Sequence, residues 1–280
     1  MIHITGDSAW DMPREYYDKL GLEIVPVPVI FDGAEHLDDK DFDASRVFKS
    51  YRETGKLPKT AGMPPSACAE LFERKTANGD EVIHFAMSSG ISSATHQSLK
   101  TVERMKGVYI IDSHSLSTGI SLLALKAVEM RDQGMAAKDI VAEIEKLKPK
   151  VQCSFVINTL EWLHKGGRCS GLARFASVLL KIKPTIVMID GVMQVGKKYM
   201  KSLPKAVMQY VADAFERMPD PDLSRIFITH TLEDFPELLP AVKAEIAKHH
   251  KFAEVIDCRA HATISCHCGP NTLGILYLTK

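Results

Sequence analysis

The sequence predicts an α/β protein of two α/β domains, the N-terminal domain carrying a mainly parallel sheet. Three observations carry that expectation. Short apolar runs of strand length alternate with helix-period segments along the whole chain, the pattern of repeated strand–helix units. The 280 residues are long for one hydrophobic core and comfortable for two. A charged, proline-interrupted joint, Lys148-Pro149-Lys150, follows a long amphipathic segment near the middle and divides the chain into 1–150 and 151–280.

Residues 2–5 read as a first strand and 13–20 as a helix with Pro13 at its start. The apolar run 24–31 reads as one strand, with Pro26-Val27-Pro28 marking an irregularity because proline cannot donate to a ladder. Helical patterns at 45–54 and 66–77 flank a loop of small residues containing Thr60 and Pro64-Pro65. The run 81–87 is apolar enough for a buried strand, and a helix over 94–106 follows its Ser/Gly-rich turn. Strand 108–112 precedes helices at 118–133, which stops at Gly134, and at 137–147. In the second half, strands are expected at 153–158, 185–189, 226–229, 254–257 and 273–278. Helices are expected there at 160–165, 172–180, 204–217 and 235–249.

Composition excludes several classes of function. Lys+Arg and Asp+Glu stand at 35 each, so the chain lacks the basic surplus that nucleic acid or an anionic membrane requires. Apolar residues make up 45% and aromatics 7%, so a large cavity would be lined by aliphatic side chains and Met. The six cysteines follow no disulfide-scaffold spacing. There is no secretory signal pattern and no run of eighteen apolar residues. A cytoplasmic protein with reduced thiols and no integral membrane insertion is the expectation.

Several segments place polar groups at strand ends, where open α/β sheets bind ligands and helix N-termini offer N–H groups to anions. Ser88-Ser89-Gly90-Ile91-Ser92-Ser93-Ala94 joins a strand to a helix; Ser92 is a plain N-cap by one reading and a carboxylate donor by the other. Thr60 supplies a second neutral hydroxyl, or is an ordinary loop residue. Asp7-Ser8 and Asp112-Ser113 follow strands and serve equally as Asx-turns. Gly166-Gly167-Arg168-Cys169-Ser170 forms a tight turn whose Arg168 meets an anion, an acidic partner or solvent. The run Cys266-His267-Cys268-Gly269-Pro270 has the residue types of a zinc site, but C-x-C with alternating side-chain directions suits a closed site poorly. Small buried thiols and a His267 directed into the cleft are the simpler reading.

In order and spacing these segments resemble the DegV family of bacterial fatty-acid-binding proteins over essentially the whole chain. Lys183-Pro184 before a strand and Asp190-Gly191 add to the match. The resemblance implies a long-chain fatty acid such as palmitate, with no other cofactor and no metal. The acid lies between two α/β domains, its head group at Thr60 and Ser92 with His267 nearby. Ser8, Gly90, Ile91, Ser93, Asp112 and Ser113 are then the pocket's neighbours. It also implies a lipid carrier in fatty acid and phospholipid metabolism rather than an enzyme. A separate fatty acid kinase phosphorylates the bound acid, and Arg168 serves contact with it. Neutral hydroxyls would hold the carboxylate without an Arg ion pair. Three segments depart from the family pattern: Thr60-Ala61-Gly62-Met63, Ser92-Ser93-Ala94 and Lys198-Tyr199-Met200-Lys201. Two rival functions stay open from the residues alone. One is an acyl hydrolase, in which Gly90-Ile91-Ser92-Ser93-Ala94 is a loosened nucleophile elbow with His230 or His267 as base. The other is a metal- or redox-sensing protein built on the Cys/His cluster.

Overall fold

A computed structural model describes residues 1–38, 42–168 and 182–280. The expected helix at 172–180, with Cys169 and Ser170, lies outside the described residues.

Elements are numbered over the described residues. The first half contains β1 (Ile2–Asp7), α1 (Arg14–Leu20), β2 (Glu23–Val25), β3 (Pro28–Phe31), β4 (Ala34–Leu37), α2 (Ala44–Thr54) and β5 (Lys59–Thr60). It continues with α3 (Pro65–Thr76), β6 (Glu81–Ala86), α4 (Ser93–Lys100), β7 (Val108–Asp112), α5 (Thr118–Asp132) and α6 (Ala137–Leu147). A short 3-10 turn, Lys148–Lys150, then leads into β8 (Val151–Gln152), β9 (Ser154–Val156), α7 (Glu161–Lys165), β10 (Lys183–Ile189) and β11 (Val192–Tyr199). Last come α8 (Leu203–Arg217), β12 (Pro221–His230), α9 (Leu238–His249), β13 (Glu254–Arg259), α10 (Ala262–Cys268) and β14 (Leu273–Thr279).

The fold is mixed α/β. One sheet, ordered β2-β1-β6-β7, is parallel throughout. A second, drawn entirely from residues beyond the 3-10 turn, runs β11-β10-β9-β14-β12-β13 with β8 beside β14. Only β12–β13 is a parallel pair in it. The run 24–31 is two strands in two sheets: Pro26 and Pro28 break the ladder, and β3 turns away to pair with β4 and β5. The expected helix 94–106 stops at Lys100 and finishes in turns.

Between the two larger sheets lies α5, buried along most of its length from Thr118 to Val128. An amphipathic helix has one apolar stripe; α5 is apolar on all sides because both sides face protein. One core cluster therefore runs from Ile4, Ile83 and Phe85, through Leu122 and Leu123, to Phe227 and Leu276. Among the described residues no helix is long and apolar enough to cross a membrane.

Candidate functional site

Residues just beyond the carboxyl ends of β2 and β6, the short strand β5 and the helix α10 converge on a narrow cavity. Its walls are mostly apolar, including Val27, Met87, Ile91, Leu116, Met193 and Ile264. Its polar groups are few, and Thr60, Ser92, Arg168 and His267 are all among the lining residues. A second, mostly apolar space shares Leu116, Ile264 and Cys268 with it and extends to Phe155 and Leu276. A mostly apolar cavity with a few convergent polar groups is the usual form of a small-molecule site.

Each polar group is placed by local structure. Ser92 is the N-cap of α4: its Oγ accepts from the Thr95 N–H at 3.4 Å and donates to Thr95 Oγ1 at 3.0 Å. The cap reading and the cavity-wall reading thus hold together. Thr60 ends β5, paired with Val29, and its Oγ1 lies 2.9 Å from His267 Nε2. Burial, aided by the Arg168 charge, pushes the His267 pKa down to about 3, so the ring is neutral. Its Nδ1 is buried without a partner beside Gly166, where an added Cβ would stand 2.4 Å away. Arg168 donates to the Gly166 carbonyl at 2.9 Å. Arg168 thus lines the same cavity as the neutral side chains of Thr60, Ser92 and His267.

Of the remaining neighbours expected around the site, only Ile91 lines the cavity. Ser8 Oγ donates to Asp38 and accepts from Val27 N–H, both at 2.8 Å. Ser113 exchanges turn bonds with Ser115, and Ser93 is exposed on the first turn of α4. Asp112 is half-buried, which alone would raise its pKa. N–H groups of Ser89 and His114, each at 3.2 Å, with His96 nearby, hold it below the usual carboxylate range instead. Gly90 passes so close to the β10–β11 turn that a Cβ would meet the Gly191 carbonyl at 2.5 Å, and Ser88 Oγ donates to that carbonyl at 2.6 Å. Two departures from the family pattern touch each other: a Cβ on Gly62 would lie 2.9 Å from the Ala94 methyl. Small residues on both sides let this loop rest on α4. Thr95 and Thr263 also line the cavity and escaped the sequence reading; the signal for Thr95 was its place three residues after an N-cap.

The alternative chemistries find little support in this geometry. Ser92 pairs with Thr95, His267 with Thr60, and His230 with Asp257 at 3.0 Å, so neither histidine is bonded to the proposed nucleophile. The segment bearing Cys266 and Cys268 is a helix, not the alternating strand that the C-x-C argument assumed. Cys266 packs in the cluster with Phe48 and Trp162, while Cys268 faces the cavity. Among the described residues no three His, Cys, Asp or Glu side chains are arranged to hold a metal ion.

A family model described as uncharacterised protein, DegV family, matches residues 1–280. The chain belongs to the DegV family. A DegV domain-containing protein of Caldanaerobacter subterraneus is 28% identical over 283 residues, covering 100% of this chain and 99% of the relative. Among solved structures, a fatty-acid-binding DegV family protein from Thermus thermophilus superposes with a TM-score of 0.90. It is 24% identical and covers 100% of this chain and 99% of its own. DegV of Bacillus subtilis, a fatty acid binding protein, superposes with a TM-score of 0.84 at 26% identity, with the same coverage. Both of these DegV structures are described as fatty-acid-binding proteins.

Proposed function

We propose that this chain binds one long-chain fatty acid, with the carboxylate at the end of the cavity marked by Thr60, Ser92 and His267. The tail would run past Leu116, Ile264 and Cys268 into the adjoining apolar space. The observation that carries this reading is that Thr60, Ser92, His267 and Arg168 line one mostly apolar cavity that adjoins a second apolar space. On this reading residues 1–150 and 151–280 act as two domains. The first supplies Thr60 and Ser92; the second supplies His267 and Arg168 and covers the acyl chain.

Burial of the tail supplies most of the affinity. Each buried methylene contributes about 0.8 kcal/mol, so a dozen give about 10 kcal/mol before the costs of association. The head group needs orientation more than strength. With His267 neutral and protonated on Nε2, the ring donates to Thr60 Oγ1, and the Thr60 O–H is left to donate to the carboxylate. The opposite tautomer would turn a lone pair of Thr60 toward the anion. Arg168 adds long-range attraction at the same wall and is the residue proposed to meet a fatty acid kinase. The protein then acts in the cytoplasm as a lipid carrier in fatty acid and phospholipid metabolism, presenting the carboxylate for phosphorylation by that partner.

Native mass spectrometry with lipid extraction should find one fatty acid per chain. The double variant Thr60→Ala/Ser92→Ala should bind palmitate at least about tenfold more weakly, the loss expected from hydrogen bonds to a charged group. Unchanged affinity in the double variant would sink the head-group assignment. Loss of kinase-dependent phosphorylation in Arg168→Ala at saturating palmitate, well beyond any weakening of palmitate binding, is the outcome expected for a docking residue.

A further inference from the structure

The helix α10 carries four residues of the cavity wall, Thr263, Ile264, His267 and Cys268. They form two pairs at i,i+4, so they stand on one side of the helix and move together if it moves. Ala262 and Cys266 make the other i,i+4 pair, packed with Val29, Phe48 and Trp162. Although α10 follows the 3-10 turn by more than a hundred residues, much of its packing is therefore against the first half of the chain.

Its N-terminus is held in the same way. The flanking residue His261 makes no side-chain cap. Instead Asp38 Oδ1 accepts from the Ala262 N–H at 2.8 Å, Asp38 Oδ2 from the Thr263 N–H at 3.1 Å, and Asp11 Oδ1 from the His261 N–H at 2.7 Å. Three consecutive amides that a helix start leaves without partners are thus satisfied by two carboxylates far away in sequence. Both carboxylates are fully buried and anchored from behind, Asp38 by Ser8 Oγ at 2.8 Å and Asp11 by Ser117 Oγ. Burying two carboxylates costs several kcal/mol unless every lone pair finds a donor. Asp7, equally buried, adds a third charge, and His261 Nδ1 stands 3.4 Å from Asp11. Simple shape-filling would not call for such an expensive arrangement.

We infer that Asp38 and Asp11 are positioning residues for the head-group site: they seat the N-terminus of α10 and thereby fix His267 against Thr60. The inference rests on reading the cavity as a fatty-acid site only for its effect on affinity; the seating of His267 is measurable without any ligand. Asp38→Asn is the sharp test. An amide in that position turns an NH2 group toward one of the two backbone N–H donors, so at least one bond is replaced by repulsion.

The test uses the full chain freed of lipid. In Asp38→Asn, amide hydrogen exchange at Ala262 and Thr263 should rise at least about tenfold, the equivalent of one lost bond to a charged acceptor. The ring nitrogens of His267, followed by 15N NMR, should leave their wild-type positions and begin to titrate. Palmitate affinity should fall by about tenfold or more. Asp213→Asn, which removes a carboxylate bonded to Tyr199 at 2.6 Å in the second half, should leave all three measurements at wild-type values. If Asp38→Asn does not fold, Asp11→Asn carries the test through exchange at His261 and the same ring signals. A folded variant with unchanged exchange and unchanged His267 signals would overturn the inference, as would equal changes in Asp213→Asn. If wild type failed to bind palmitate while the ring and exchange effects appeared, the fatty-acid reading would fall and the seating role would stand.

Discussion

His267 is the residue on which the candidate site turns, and its neutrality is a consequence of burial. With its pKa pushed down to about 3, the ring should show no titration between pH 5 and 8, which NMR of the imidazole can follow directly. The ring itself should accordingly add no transition to fatty-acid affinity near the usual histidine pKa of about 6.5. Gly166 is its platform. The backbone there is ordinary, so Gly166→Ala introduces no strain of its own, but its methyl would collide with His267 Nδ1. Palmitate binding should weaken about tenfold, with the thermal midpoint little changed, because the collision displaces one hydrogen-bonded ring rather than the core. Measuring both in the one variant separates a site effect from a folding effect. Thr60 and His267 lie 207 positions apart. No local pattern ties them together; each was visible singly, as a loop threonine and a histidine in a Cys-rich run, and only the order of motifs along the chain suggested a pair.

Elements with a strong period were legible, and those decided by context were not. Residues 118–133 read as a helix because apolar residues recur along it and Gly134 ends it, and α5 matches within a residue or so. That α5 is enclosed on every side was not evident, since a buried helix and an amphipathic one differ only in the face that usually meets water. Leu123→Ala should cost about 2–5 kcal/mol by leaving a cavity between two sheets, measurable by chemical denaturation. The strand β11 was missed because its sequence, Val192-Met-Gln-Val-Gly-Lys-Lys-Tyr199, alternates polar groups on an exposed edge. The usable signal was Asp190-Gly191, a two-residue turn in which both residues have positive φ, the hairpin form whose twist matches its strands. Proline at 26 and 28 was recognised as an irregularity, yet its full effect, sending one apolar run into two sheets, depends on β5 being present to receive β3.

Across the molecule, buried ionisable groups set opposing pH dependences. Burial raises Asp7 and Asp11 to about 6, so each binds its proton more tightly folded than unfolded. Their contribution to stability is fully present below about 3.8 and is lost as pH rises through 6. Burial lowers His84 and His267 to about 3, so their contribution is present above about 6.5 and is lost as pH falls toward 3. Between pH 4 and 6 the two effects oppose one another. Asp7→Asn removes one side, and its stability should fall more steeply with acid there, by up to about 1.4 kcal/mol per pH unit. Urea denaturation at several pH values checks the slope; a slope equal to wild type would contradict the assignment. The two-sheet architecture was foreseeable from strand–helix alternation. The continuity of the core through α5 was not, because it depends on which helix the folded chain places between the sheets. The placement of α10 also bears on the order of events during synthesis. Everything that precedes residue 262 can leave the ribosome and collapse while Asp11 and Asp38 still lack the amides they accept from. The ligand end of the cavity is therefore one of the last features to form, and a chain interrupted before α10 would hold two unmatched carboxylates where the finished protein holds a helix.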